Sequence, residues 1–216
     1  MIITISRQKG AGGAEVAGRV AEALGWRLVD NELVDRVAAR AHLSPSEVEA
    51  LEERAPSFFE RLVRALTAAA PEIQPAPSEH VPELEEANLV KVTEAVVEDA
   101  AREGRVVLVG RAAPAVLSRE RDALHVKIVA PLAARIAEVG RREGCDDEES
   151  RERIERSDAN RRRYHERFYR RSWDDAANYH LVLNSAALGK GAVVDTIVGR
   201  AKTLWPNATV ERRASG

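Results

Sequence analysis

A β-branched run, Ile2-Ile3-Thr4-Ile5, passes through a polar turn, Ser6-Arg7-Gln8-Lys9, into Gly10-Ala11-Gly12-Gly13. The helical start Ala14-Glu15-Val16-Ala17 follows. Strand, glycine-rich turn and helix in this order constrain the chain more than any other stretch. They aim a helix's first backbone N–H groups at one point, which is how an α/β fold holds a phosphate. The common loop, G-x-x-x-x-G-K-[ST], carries Lys and a hydroxyl after its last glycine. Gly13 and Ala14 stand there in this chain. Two other readings compete. One is an ordinary tight turn. The other is a dinucleotide-binding turn, with Gly10-x-Gly12 after a strand and Asp30 placed to bind a ribose. Against the latter, Glu15 occupies the third-glycine position and would set a carboxylate beside the pyrophosphate.

Strand-like runs alternate with helical ones, which predicts an α/β fold with a parallel sheet. After the first strand, Val16, Val20, Ala21 and Leu24 repeat at helical spacing up to Gly25, a natural C-cap. The second strand is Trp26 to Val29, and a helix is expected over 31–41. Ser44-Pro45-Ser46-Glu47 is a capping box that starts another helix. Phe58 to Ala69 reads as helical, and Pro71, Pro75, Pro77 and Pro82 punctuate an irregular loop. Leu84 to Arg102 reads as a long helix, Val106 to Val109 as a strand buried on both faces, and His125 to Val129 as a fourth strand. A helix opens at Pro131, a charged helix spans 146–171, and a last strand and helix cover 180–183 and 192–204. Residues 1–43 and 104–206 are thus expected to form the core, 44–103 a helical insertion and 207–216 a flexible tail.

Lys and Arg number 33 against 35 Asp and Glu, a net charge of −2, so bulk charge does not mark a polyanion-binding protein. The single cysteine, Cys145, excludes a disulfide within the chain and a Cys-based zinc site. The first residues are strand-like rather than a basic-then-apolar leader, and no apolar run approaches the ~18–20 residues of a membrane span. These features predict a soluble, cytoplasmic protein with no membrane partner.

Three further places carry chemistry. Asp30 ends the second strand, where it can hold Mg²⁺ through water or orient an acceptor, or simply cap the next helix. Gly110-Arg111 follows the third strand into the same crevice, where the arginine's planar fork suits a phosphate as well as a surface salt bridge. Along 146–171, Glu148, Glu149, Glu152, Glu155 and Asp158 supply helical partners for most arginines. From Arg161 to Arg171 only Glu166 remains. Tyr164, Phe168 and Tyr169 interleave there, a pattern open to triphosphate or nucleic acid.

Taken in order, these segments resemble the cytidylate kinase-like family, a branch of the P-loop nucleoside monophosphate kinases. The residues that carry the resemblance are Ile3 to Gln8 with Gly10 to Gly13, Leu28 to Val34, Val107 to Ala113 and Leu124 to Leu132. Asp158 to Arg161, Arg167 to Tyr169, Trp173 to Asp175 and Tyr179 to Asn184 complete it. The resemblance implies a P-loop NTPase-type three-layer fold with a five-stranded parallel sheet, a helical acceptor-binding insertion and a mobile arginine-rich lid over 145–172. It implies Mg²⁺-dependent transfer of the ATP γ-phosphoryl group to a small-molecule nucleotide, CMP or dCMP. By position, Gly10, Ala11, Gly12, Gly13 and Ala14 would cradle the ATP phosphates. Asp30 and Arg36 would face the acceptor, Arg111 would grip its phosphate, and Arg161 would reach the transferring group. The chain departs from true cytidylate kinases at Gly13, Ala14, Val109 and Ala112, so the lost loop cation needs a substitute, for which Lys9 and Arg7 are the candidates. The departures also leave room for a nucleotide-binding sensor without catalysis. The balanced charge argues against a nucleic-acid role for the arginine-rich helix.

Overall fold

A computed structural model describes residues 1–30, 82–110 and 112–207. The helices expected over 31–41 and 58–69, the Ser44 cap, the loop with Pro71, Pro75 and Pro77, Arg36, Arg111 and the tail from 208 lie outside the described residues. Five strands are described: β1 (Ile2–Arg7), β2 (Arg27–Val29), β3 (Val106–Val109), β4 (Ala123–Val129) and β5 (Leu181–Asn184). They form one parallel sheet in the order β2-β3-β1-β4-β5. β1 is central, and its neighbours β3 and β4 are consecutive strands, so the chain crosses over it. That makes the carboxyl ends of β1 and β3 a switch point, where open parallel sheets bind ligands.

β1 is longer than its β-branched run. Pairing with β4 continues through Ser6 opposite Lys127 and Arg7 opposite Ile128. Residues expected in the turn are therefore fixed at the end of a strand, and the turn itself begins at Gln8.

The two faces of the sheet differ in chemistry. On one, Ile3, Ile5, Leu124, Val126 and Ile128 pack against helix α1 (Gly13–Leu24) and against Val193, Val194, Ile197 and Ala201. On the other, Ile2, Val29, Val106, Leu108 and Ala123 meet α2 (Pro82–Glu103) and the single turn α3 (Ala113–Val116). This second face turns polar toward the carboxyl end of β1 and β4, with Thr4, Ser6, His125 and Lys127 all buried. α4 (Leu132–Glu143) and the charged α5 (Asp147–Tyr169) share a smaller apolar contact through Ile136, Val139 and Ile154.

β5 leads into α6 (Ser185–Leu188), a turn absent from the sequence reading, and then α7 (Lys190–Leu204). Asn184 causes that turn: its side chain accepts from the Ala186 and Ala187 N–H groups, both at 3.1 Å. At the amino end of the sheet, Trp205 packs on Trp26 with ring centroids 5.6 Å apart and donates to Asp122, which also pairs with the Met1 ammonium.

Ile5 is fully buried in the central strand. Ile5→Ala is expected to lower the unfolding free energy by about 3 kcal/mol, read as a shift in the urea midpoint at unchanged slope.

Candidate functional site

The loop leaving β1 is tied to three other parts of the fold. Gln8 N–H donates to Ile128 O at 3.0 Å, and its side-chain oxygen accepts from Ala130 N–H at 3.1 Å. Ala11 O accepts from Ser185 Oγ at 2.8 Å. Lys9 N–H donates to Asp158 Oδ1 at 3.0 Å. Two glycines allow these close approaches. Gly10 has φ +83°, and a Cβ there would stand 2.7 Å from Arg135 O; Gly12 has φ +74°, and a Cβ would stand 2.7 Å from Lys190 Cε.

As in any α-helix, the first N–H groups of α1 have no intrahelical partner, and Gly12 at the N-cap has no side chain with which to bond them. They form the positive end of the helix dipole.

Asp158 holds this region together. It is 2 % exposed. Its Oδ1 accepts from Lys9 N–H and, at 2.8 Å, from Arg161; its Oδ2 accepts from Arg135 at 2.7 Å. Arg135 also donates to Ala130 O at 3.0 Å and Lys9 O at 3.4 Å. One carboxylate thus joins the loop, α4 and α5.

Beside the loop opens a cleft of about 450 Å³, lined by Ser6, Arg7, Gly110, Ala112, Pro114, Ser157, Asn160, Arg161, Tyr164, His165 and Trp173. Among the described residues, two arginines and no carboxylate lie in this lining. Burial pushes the Arg161 guanidinium below its usual range while Asp158 draws it back, and an arginine stays charged throughout.

The floor is the polar half of the sheet. Trp173 donates from its indole N–H to Ser6 Oγ at 2.8 Å, and its carbonyl accepts from Lys127 at 2.7 Å and Tyr179 at 2.8 Å. Lys127 is paired with Asp174 at 2.9 Å and lies 4.2 Å from the Trp173 ring centroid. Burial lowers its pKa.

Of the expected site residues, Arg7, Gly10, Ala11, Gly12, Gly13, Ala14 and Arg161 gather around the loop and cleft. Lys9, expected beside the phosphates, turns its ammonium to Glu143 at 2.7 Å and is not among the cleft-lining residues. Lys9, Arg142 and Arg153 hold the Glu143 carboxyl down at about 2. Asp30 follows β2, separated from β1 by β3, and is also not among the described lining residues. The acidic charge expected along α5 is present, and several of the later arginines have partners within the fold: Arg162 with Asp174 at 2.5 Å and Arg171 with Pro114 O at 3.1 Å.

No group of three His, Cys, Asp or Glu among the described residues is placed to hold a metal ion. Ala14 offers no hydroxyl. Among the described residues, the donor set fits an anion and does not fit a metal bound directly by side chains.

The profile of the cytidylate kinase-like family matches residues 2–187. The chain belongs to that family. Among solved structures, it is similar to an uncharacterized protein from Eubacterium ventriosum, at 20 % identity and TM-score 0.66, over 94 % of this chain and 99 % of that one. It is also similar to shikimate kinase from Bacteroides thetaiotaomicron, at 14 % identity and TM-score 0.50, over 95 % and 98 % of the two chains. The fold is therefore of the P-loop NTPase type, in keeping with the strand order. A search of curated protein sequences found no match.

Asp158 stood in the sequence as one of several helical partners for the arginines of its own helix, and no sequence signal singled out Arg135. Only tertiary contact gives these two their places at the loop. Trp173 carried part of the family resemblance, but no local signal set it beneath the cleft. Lys190, beside Gly12, had no signal either.

Asp158→Asn removes a buried charge from Arg135 and is expected to cost about 3 kcal/mol of stability, measured by chemical denaturation. A second expectation concerns pH. His125 and His165 are buried, and both pKa values fall from 6.5 to about 4 through burial. His180 and Arg171 add repulsion at His125, as Arg171 and Lys127 do at His165. The unfolded chain binds these protons more readily, so stability is complete above pH 6.5 and declines as pH falls to 4. Each histidine accounts for about 3 kcal/mol of that decline. Urea midpoints across this window should fall less steeply for His165→Gln than for the wild-type protein.

Proposed function

We propose that the chain is an ATP-dependent phosphotransferase with a nucleoside monophosphate as acceptor, CMP or dCMP first. The observation that carries this reading is the cleft at the ends of β1 and β3. It is lined by Arg7 and Arg161 with no carboxylate in the described lining, beside the uncapped start of α1. Such a site selects multiply charged anions. Membership in a kinase-like family supports phosphoryl transfer as the chemistry.

In the proposed reaction an acceptor phosphate oxygen bonds to the ATP γ-phosphorus as the bond from that phosphorus to the β-phosphate bridging oxygen breaks, releasing ADP. The protein supplies position and charge rather than a nucleophile. The loop from Gly10 to Ala14 would receive the donor phosphates on backbone N–H groups. Arg161, set by Asp158, would face the group in transfer. Arg111 and Arg36, both outside the described residues, retain their proposed acceptor roles. Mg²⁺ would arrive on the nucleotide phosphates, neutralising charge there, with water between it and the protein. Asp30 is its proposed outer partner. The lid assignment for 145–172 and the acceptor-binding role of 44–103 belong to the same reading, as does a cytoplasmic location.

A binding-only protein is the second reading, favoured by Ala14, which removes the hydroxyl that a kinase loop directs at the metal. ADP release measured with CMP, dCMP, UMP and AMP separates the two. The expected result is turnover with a pyrimidine monophosphate, lowered on the order of 100-fold by Arg161→Ala. Micromolar nucleotide binding without turnover for any acceptor would replace the kinase reading with the second.

A further inference from the structure

We propose that Arg7 and Gly13 are an exchanged pair, in which Arg7 delivers from the end of β1 the phosphate-directed cation that the common loop delivers from the residue after its last glycine. This inference rests on the reading of the cleft as a nucleotide phosphate site. With Gly12 as the last glycine of G-x-x-x-x-G-K-[ST], the first glycine position falls on Arg7 and the lysine position on Gly13. The chain has gained a cation at one position and lost one at the other.

The geometry makes the two changes depend on each other. Gly10 and Gly12 have positive φ, whereas Gly13 does not, so backbone conformation leaves residue 13 open to any side chain. Space closes it. A Cβ on residue 13 would overlap Arg7 Cβ and stand 2.8 Å from its Cγ and 3.6 Å from its Cδ. The pairing of Arg7 with Ile128 in the sheet fixes the Arg7 backbone and with it Cβ, which cannot swing aside as a side-chain tip would. A side chain at 13 and a long side chain at 7 therefore exclude one another. Arg7 runs past the space that a residue-13 side chain would enter, and lines the cleft with Arg161.

Lys9 is paired with Glu143, Lys190 with Glu15 and Glu138, and Lys127 with Asp174. An arginine in this place also changes the kind of contact, because its planar fork can hold two phosphate oxygens where a lysine presents a point charge.

The test is a reciprocal exchange, with calorimetric titration of ATP into the wild-type protein, Arg7→Gly, Gly13→Lys and the double variant. Each single change is expected to weaken binding roughly ten- to a hundredfold, and the double variant to recover most of it. Arg7→Gly binding ATP as tightly as the wild-type protein would overturn the inference while the site reading stands. A double variant no tighter than the single ones would overturn the exchange. No ATP binding by the folded wild-type protein would remove the site reading and this inference with it. Thermal unfolding of Gly13→Ala gives a readout independent of nucleotide. The added methyl should lower Tm in the presence of Arg7 and leave it unchanged in an Arg7→Gly background; equal loss in both would overturn the steric coupling.

Discussion

The arrangement of this site depends on the buried carboxylate of Asp158. An unpaired carboxylate in that position would carry a large desolvation cost, and three donors offset it: the Lys9 N–H, Arg135 and Arg161. These donors come from the loop, α4 and α5, so satisfying one charge fixes three elements relative to each other. The loop cannot shift toward the sheet without leaving Asp158, and Arg161 cannot turn from the cleft without the same loss. The contact holds the loop from one side while Ser185 holds it from another through Ala11 O.

This arrangement also separates the roles of the positive side chains. Near the loop, most of the cations among the described residues are matched to acids within the protein. Glu143 gathers Lys9, Arg142 and Arg153, which leaves it ionised far below neutral pH. Asp174 gathers Lys127 and Arg162. A patch that looks broadly basic in the sequence becomes, in the fold, a set of ion pairs with a narrow opening lined by Arg7 and Arg161.

Much of the sheet was legible in the sequence because its signal is local. Val106 to Val109 is apolar throughout since both faces are covered, and Gly25 ends α1 with the positive φ that a helix terminus favours. The site was legible where it follows the chain, at Gly10 to Gly13. It was hidden where it depends on contacts between elements far apart in sequence. Arg7 reads as part of a polar turn, and only the pairing of β1 with β4 makes it a strand residue. Lys9 reads as the nearest spare cation, but Glu143, 134 residues away, claims it. The short turn α6 was missed because it is made by the Asn184 side chain rather than by any periodicity.

The placement of the tryptophans divides the molecule optically. Trp173 lies beneath the cleft, hydrogen-bonded to β1 through Ser6, whereas Trp26 and Trp205 face each other at the opposite pole of the sheet. These are the three tryptophans of the chain. An event in the cleft would therefore perturb one indole held among polar groups and a lysine ammonium, and leave the Trp26–Trp205 pair as an internal reference. The protein carries its own two-channel reporter, one channel at the pole where ligands would enter and one where the strands begin.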